Sequence, residues 1–212
     1  MTSDADSDTP AAPMYGCDIS GEPPTRLADL ESIVVDLRFA ERALSRLPGV
    51  DYEQDPDLCR ALYDSAAIAY RRGFTGGRAL LGKGASRTRV PEEILDCLDE
   101  NHRAAHEKLI EHADTHIAHR VSDLEQVRVL LVLNNPDLGK SVQGVLSYGP
   151  RFVRQADDDL RRSAETASLI ADSLDGYLNA FRAALLADAR KRDPEELYAN
   201  SRPLGPDILL PG

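Results

Sequence analysis

The 212-residue sequence predicts a mainly α fold, a four-helix bundle with one small inserted β-hairpin. Four segments place apolar residues three and four positions apart, which is the period of a helix that buries one face. One short aliphatic run followed by turn residues is typical of a hairpin instead. The sequence has no Trp and is only 5% aromatic, so a mainly aliphatic core is expected.

The two ends of the chain lack such patterns. Residues 1–24 are rich in small and polar residues, with five acids and no Lys or Arg, which predicts a disordered acidic tail. Residues 194–212 contain four prolines and predict an extended C-terminal tail. The helical domain is therefore expected over residues 25–193.

Two helices and a basic segment come first. Thr25 is the expected N-cap of a helix that stops at Pro48, and a second helix starts at Pro56 and ends near Gly73. Residues 71–89 then carry six Lys and Arg without any acid, and their glycines predict a loop or a broken helix.

A third helix carries all the histidines. Pro91 followed by two glutamates is a strong helix start, and this helix is expected to run to about His119. Its histidines lie on one side of the helix: His102, His106, His112, His116 and His119. Pairs spaced i,i+4 can chelate a metal ion. Because no HExxH is present and no further ligands are evident, we expect histidines that flank the core, and neither metal nor cofactor.

The remaining elements are the hairpin and the last helix. Aliphatic residues before Asn134 and the segment 141–148 predict two strands joined by a turn, over about residues 126–148. Pro150 opens the last helical pattern, which ends before Pro194, and Gly176 marks a candidate kink.

Charge and composition restrict the function. A net charge of −11 argues against nucleic-acid binding over the whole surface but leaves room for one basic site. We find no apolar run of about 20 residues, the length that spans a bilayer, and no basic-then-apolar leader. Three cysteines without a CxxC pair favour reduced thiols. A cytoplasmic protein without a membrane partner is expected.

The basic segment directly precedes the histidine helix. Cations that hold phosphate, beside imidazoles that move protons near neutral pH, suit RNA phosphodiester transfer, in which the 2′-OH is the nucleophile. The alternative is a set of solvated cations on the surface.

Two stretches carry a family resemblance. Residues 70–78, Tyr-Arg-Arg-Gly-Phe-Thr-Gly-Gly-Arg, and residues 116–120, His-Ile-Ala-His-Arg, resemble the HEPN superfamily, in particular its bacterial branch near abortive-infection proteins. The resemblance covers roughly residues 27–190. It implies a HEPN-like four-helix bundle that forms a homodimer through its motif helices. Active members are metal-independent RNases that use an Arg, a following polar residue and a His.

The resemblance assigns roles by position. His119 is the general acid and base, with Asp114 or His116 orienting it, while Ala113 stands where the family has its Arg. The cations expected to hold phosphate are Arg72, Arg78 and Arg120. Any of the three is a candidate to replace the missing Arg.

These assignments imply two alternative functions. The first is RNA binding or cleavage in a phage defence or toxin–antitoxin setting, with a cognate antitoxin or a nucleotidyltransferase-like protein as partner. The second is a catalytically degenerate, dimeric interaction module.

Overall fold

The computed structural model describes residues 14–81, 84–117, 128–138, 140–148 and 155–204. It is 65% helix, so the predicted mainly α class is confirmed. The four long helices are α1 (Glu22–Arg46), α2 (Pro56–Arg72), α3 (Glu100–His112) and α4 (Asp157–Ala189).

The four helices close a ring around one core. Helix α1 packs on α2 and α4, and α3 packs on the same two helices. The largest fully buried aliphatic side chains come from α1, α3 and α4: Leu30, Ile33, Leu37, Leu44, Leu109, Ile170, Leu174 and Leu178. Helix α2 adds mainly alanines and two buried tyrosines, which lets it lie close to its neighbours.

Helix α1 begins earlier than its sequence suggests. It starts at Glu22, because Pro23 and Pro24 fit a first turn whose amides have no helical partner. Thr25 is therefore not the N-cap; its hydroxyl donates to the carbonyl of Gly21 at 2.8 Å. Gly21 has a φ of +116°, a conformation that favours glycine.

Parts of both predicted tails form secondary structure. Strand β1 (Tyr15–Cys17) pairs antiparallel with β4 (Ser201–Pro203), and α5 (Pro194–Ala199) precedes β4. The amide of Leu204 also donates to the carbonyl of Met14 at 2.7 Å. These elements are too short to show a period, and their pairing joins distant parts of the chain. Residues 1–13 and 205–212 lie outside the described residues.

The predicted third helix is broken into pieces. Residues Glu92–Cys97 form a 3₁₀ turn after Pro91, and α3 starts anew where Asp99 accepts from the amide of His102 at 2.9 Å. The α-helix ends at His112 and widens into a π-helical turn, Ala113–Ile117.

Helix α4 is the longest element and lies against α1. It starts at Asp157 and runs through Gly176 as one continuous α-helix. Pro150 lies outside the described residues. Polar contacts lock the pair: Arg26 donates to the Tyr177 hydroxyl at 2.6 Å, Arg38 to Asp172 at 2.5 Å, and Arg182 to Glu31 at 2.8 Å.

The inserted hairpin is present. Strands β2 (Arg128–Leu133) and β3 (Val142–Tyr148) pair antiparallel, with a 3₁₀ turn at Pro136–Leu138 between them. Among the described residues, no helix has the length and hydrophobicity that crossing a bilayer requires.

A buried carboxylate attaches the basic segment to α1. Asp29 has no exposed surface, and its two oxygens accept from the amides of Leu80 and Thr88, both at 2.8 Å. Between these contacts the chain folds back on itself, with Arg78 bridged to Ser86. The segment is therefore a folded ribbon rather than a loose loop.

This anchor yields a test of stability. Replacing Asp29→Ala removes two part-buried hydrogen bonds from backbone amides to a carboxylate, which should lower the free energy of unfolding by about 3–5 kcal/mol. Urea denaturation measures the loss. The control is Glu31→Ala on the same helix, which removes a half-exposed ion pair and should cost about 1 kcal/mol or less. Equal losses in the two variants would contradict the anchoring role.

Candidate functional site

Two cations of the basic segment share one carboxylate of α1. Asp36 of α1 lies 3.3 Å from Arg72 and 3.6 Å from Arg87, whose side chain is only 10% exposed. Arg87 also donates to the Ser32 hydroxyl at 3.4 Å. One carboxylate thus partly neutralises two guanidinium groups, and the six-base run is not a uniform positive surface.

Of the predicted phosphate-holding residues, Arg72 and Arg78 are described and both are exposed. Arg72 reaches α1 through Asp36, whereas Arg78 lies on the ribbon and has no ion-pair partner among the described residues. Arg89 is likewise exposed and, within the same ranges, without an ion pair. Arg120 lies outside the described residues.

The π-helical turn at the end of α3 holds the predicted polar residue. Asp114 forms an ion pair with Arg71 of α2, through the guanidinium Nε and carboxylate Oδ1. Both side chains remain about one-third to two-fifths exposed. Because π turns widen the backbone and are frequent at functional sites, this pair is the strongest local candidate.

Sequence reasoning missed Arg71. It stands beside Arg72, but about 100° around α2, so the two side chains serve different neighbours. Arg72 turns to α1 and Arg71 to the π turn. The sequence indicates that the two arginines point in different directions around α2. It does not identify the partner of each, which depends on how α2 packs against its neighbouring helices.

The other predicted site residues are only partly placed. His116 belongs to the π turn through its backbone. His119 lies outside the described residues. Ala113 is 2% exposed and belongs to the hydrophobic core, so the position of the family's Arg points inward.

His112, the last residue of α3, contacts two residues of α2. The Nε2 atom of His112 is 3.9 Å from Asp64 Oδ1, and its ring packs edge-on to Tyr63 at a centroid distance of 4.6 Å. Asp64 also accepts from Arg60 at 3.4 Å. Burial is the main cause that raises the pKa of Tyr63, so its phenol stays protonated near neutral pH.

His106 is held in an aromatic pocket. Its Nδ1 atom is 2.8 Å from the hydroxyl of Tyr70, and its ring lies edge-on to Phe74 at 4.7 Å. Burial raises the pKa of Tyr70, so its hydroxyl stays protonated; it donates to Nδ1 in one tautomer of the neutral imidazole and accepts from Nδ1–H in the other. Burial also lowers the pKa of His106, chiefly because a charged imidazole would lose its hydration.

His102 belongs to the capped N-terminus of α3 and does not share a site with His106 or His112. Its Nδ1 atom is 2.8 Å from Asp99 Oδ1. The pKa of the Asp99 carboxyl is lowered, chiefly because this carboxyl accepts a hydrogen bond from the backbone amide of His102. His102, His106 and His112 thus each have a different neighbour. Over the ranges that the structure covers, no cluster of three potential metal ligands is found.

The sequence matches no protein-family model and no curated protein, and no solved structure is similar to the fold at a significant level.

The burial of Ala113 yields one prediction. Ala113→Arg should lower the free energy of unfolding by about 3 kcal/mol or more, because it forces a guanidinium into the core. Urea denaturation is the measurement, and Glu111→Arg, at an exposed position of α3, is the control, with an expected change within about 0.5 kcal/mol. An Ala113→Arg protein as stable as wild type would show that this side chain can turn outward.

The pocket of His106 predicts a pH dependence. Because the pKa of His106 is lowered below its ordinary 6.5, the unfolded chain binds this proton more tightly than the folded one. The stabilisation is complete above about pH 6.5 and is lost as the pH falls below it. Urea denaturation of wild type and His106→Gln between pH 7.5 and 5.5 should show a shallower loss in the variant. Equal slopes for wild type and His106→Gln would refute the prediction.

Proposed function

We propose that this protein is a HEPN-like module that binds RNA and cleaves it without a metal ion, in a phage defence or toxin–antitoxin setting within the cytoplasm. The observation that supports it best is the ion pair of Arg71 with Asp114. It brings a guanidinium to the polar residue of the motif, although Ala113 stands at the Arg position.

In this proposal Arg71 replaces the missing motif Arg. Asp114 holds the guanidinium in place, and the exposed part of Arg71 contacts the scissile phosphate. A preorganised cation stabilises the charge that develops on the phosphoryl oxygens, which is where such groups contribute most to catalysis. Asp114 is then a positioning residue for Arg71 rather than a partner of the imidazole.

His119 is the proposed proton-transfer group, with His116 orienting it. His119 takes the proton of the 2′-OH, the 2′ oxygen attacks phosphorus, and the bond to the 5′ oxygen breaks as that oxygen receives the proton back from His119. The products are a 2′,3′-cyclic phosphate and a 5′-OH. Arg72, Arg78 and Arg120 contact the flanking phosphates, which fixes the register of the strand without reading its sequence.

The test compares three variants on total cellular RNA, with and without chelator. His119→Ala should lower the cleavage rate roughly 10²–10⁴-fold, the range for a positioned acid or base. Arg71→Gln should lower it roughly 10²–10³-fold, the effect of losing one preorganised charge-stabilising group. Chelator should change neither wild type nor variants.

The matched control is Arg182→Gln. Arg182 pairs with Glu31 between two helices at nearly the same exposure as the Arg71–Asp114 pair, but on α1 and α4. Its rate should stay within roughly twofold of wild type. If the well-folded wild type cleaves no RNA, or if Arg182→Gln loses as much as Arg71→Gln, the catalytic proposal is wrong.

A second candidate function is a catalytically degenerate interaction module. Its support is the inward position of Ala113 and the neutralisation of Arg71 by Asp114. A cognate antitoxin or a nucleotidyltransferase-like protein is the partner in this case. Wild type that neither cleaves RNA nor binds a labelled single strand at low salt favours this function over the first.

A further inference from the structure

One face of the β2–β3 hairpin is formed mainly by exposed aliphatic side chains. Antiparallel pairing places five side chains on the same side of the two strands, each 61–67% exposed: Val129, Leu131, Leu133, Val142 and Val145. We call these five residues the Val129 face. The paired Ser147 adds a small polar group at one end.

A β-bulge places Val142 on this face. Val132 pairs with Gly144, but the next residue, Leu133, pairs with Val142, so Gln143 is the extra residue of β3. Regular pairing would place Gln143 opposite Leu133. Bulges reorient side chains in this way, and here the effect is to complete an apolar surface.

The hairpin needs a partner to bury this face. Two-stranded hairpins alone are marginally stable in water, and contiguous exposed apolar patches mark interaction sites. The opposite face is somewhat better covered, with Leu130 at 46%, Val132 at 41% and Leu146 at 50% exposure. Contact with a partner therefore buries more apolar surface at the Val129 face than at the opposite face.

We propose that the Val129 face packs against the same face of a second copy of this chain. A flat aliphatic surface is complementary to itself, and a two-fold axis brings identical patches together. Two hairpins stacked about 10 Å apart form a small four-stranded sandwich. With roughly 100 Å² from each of ten side chains, the contact reaches the ~1,000 Å² that a specific interface requires.

Charge supports a second copy over a membrane surface. Between residues 128 and 148 the sequence has only three charged residues, Arg128, Asp137 and Lys140, of which only Asp137 is an acid. Lys140 lines a pocket together with Leu133 and Val142, at the turn end of the Val129 face. Two copies therefore meet here without bringing acids together, despite a net charge of −11 per chain. An anionic lipid surface repels such a protein and recruits clusters of Lys and Arg instead.

This interface differs from a dimer through the motif helices, and it does not depend on RNA cleavage. The test is the mass in solution by light scattering at tens of micromolar protein. Wild type should give twice 23.2 kDa, and Leu131→Asp should give 23.2 kDa. The matched control Leu186→Asp changes a 51% exposed leucine on α4 and should remain dimeric.

A second variant separates loss of contact from loss of folding. The double change Val129→Thr with Leu131→Thr keeps residues that favour strands but removes apolar surface, so it should weaken the dimer while the helical circular dichroism stays unchanged. The proposal is overturned by a monomeric wild type, by a Leu131→Asp protein that remains a dimer, or by a monomer that binds neutral lipid vesicles through the hairpin. RNA cleavage measured on the monomeric variant tests the proposed function separately.

Discussion

The buried carboxylate of Asp29 is the contact on which the basic side of the molecule depends. A charge without any exposed surface is tolerated because both oxygens accept backbone amides, from Leu80 and Thr88. Those two bonds hold the ribbon across α1 and bring Arg87 beside Asp36. From there the chain passes to the turn that leads into α3, so one side chain of α1 sets the path between α2 and α3.

Local neutralisation is the second organising feature. The segment 71–89 is acid-free in sequence, yet in space its arginines meet carboxylates of other helices: Asp36 beside Arg72 and Arg87, Asp114 beside Arg71. A long positive run therefore becomes a few discrete cationic points. Separate cationic points suit contacts with single phosphates better than contacts along a continuous strand. This agrees with the net negative charge of the chain, which leaves room for one basic site only.

The helices were predictable because each has its own buried stripe, as Leu30, Ile33 and Leu37 show in α1. Asp29 stands in phase with Ile33 and Leu37, so an acid in a buried register was a signal already in the sequence. The β1–β4 pairing was not predictable, since strands of three residues are too short to show an alternating pattern. The Arg71–Asp114 pair was not predictable either, because helical spacing shows which face of a helix a residue lies on but not which residue it contacts. The HEPN resemblance and the role of His119 remain predictions.

The packing of α1 on α4 has a consequence for how the chain is made. Helix α1 packs on α2, which follows it directly in the chain, and on α4, which is synthesised only after α2, α3 and the hairpin. Until α4 leaves the ribosome, the nascent chain therefore carries α1 with the α4-facing part of its apolar stripe uncovered. Such a topology delays closure of the bundle until α4 has been made and makes the growing chain a substrate for chaperones that bind exposed apolar segments.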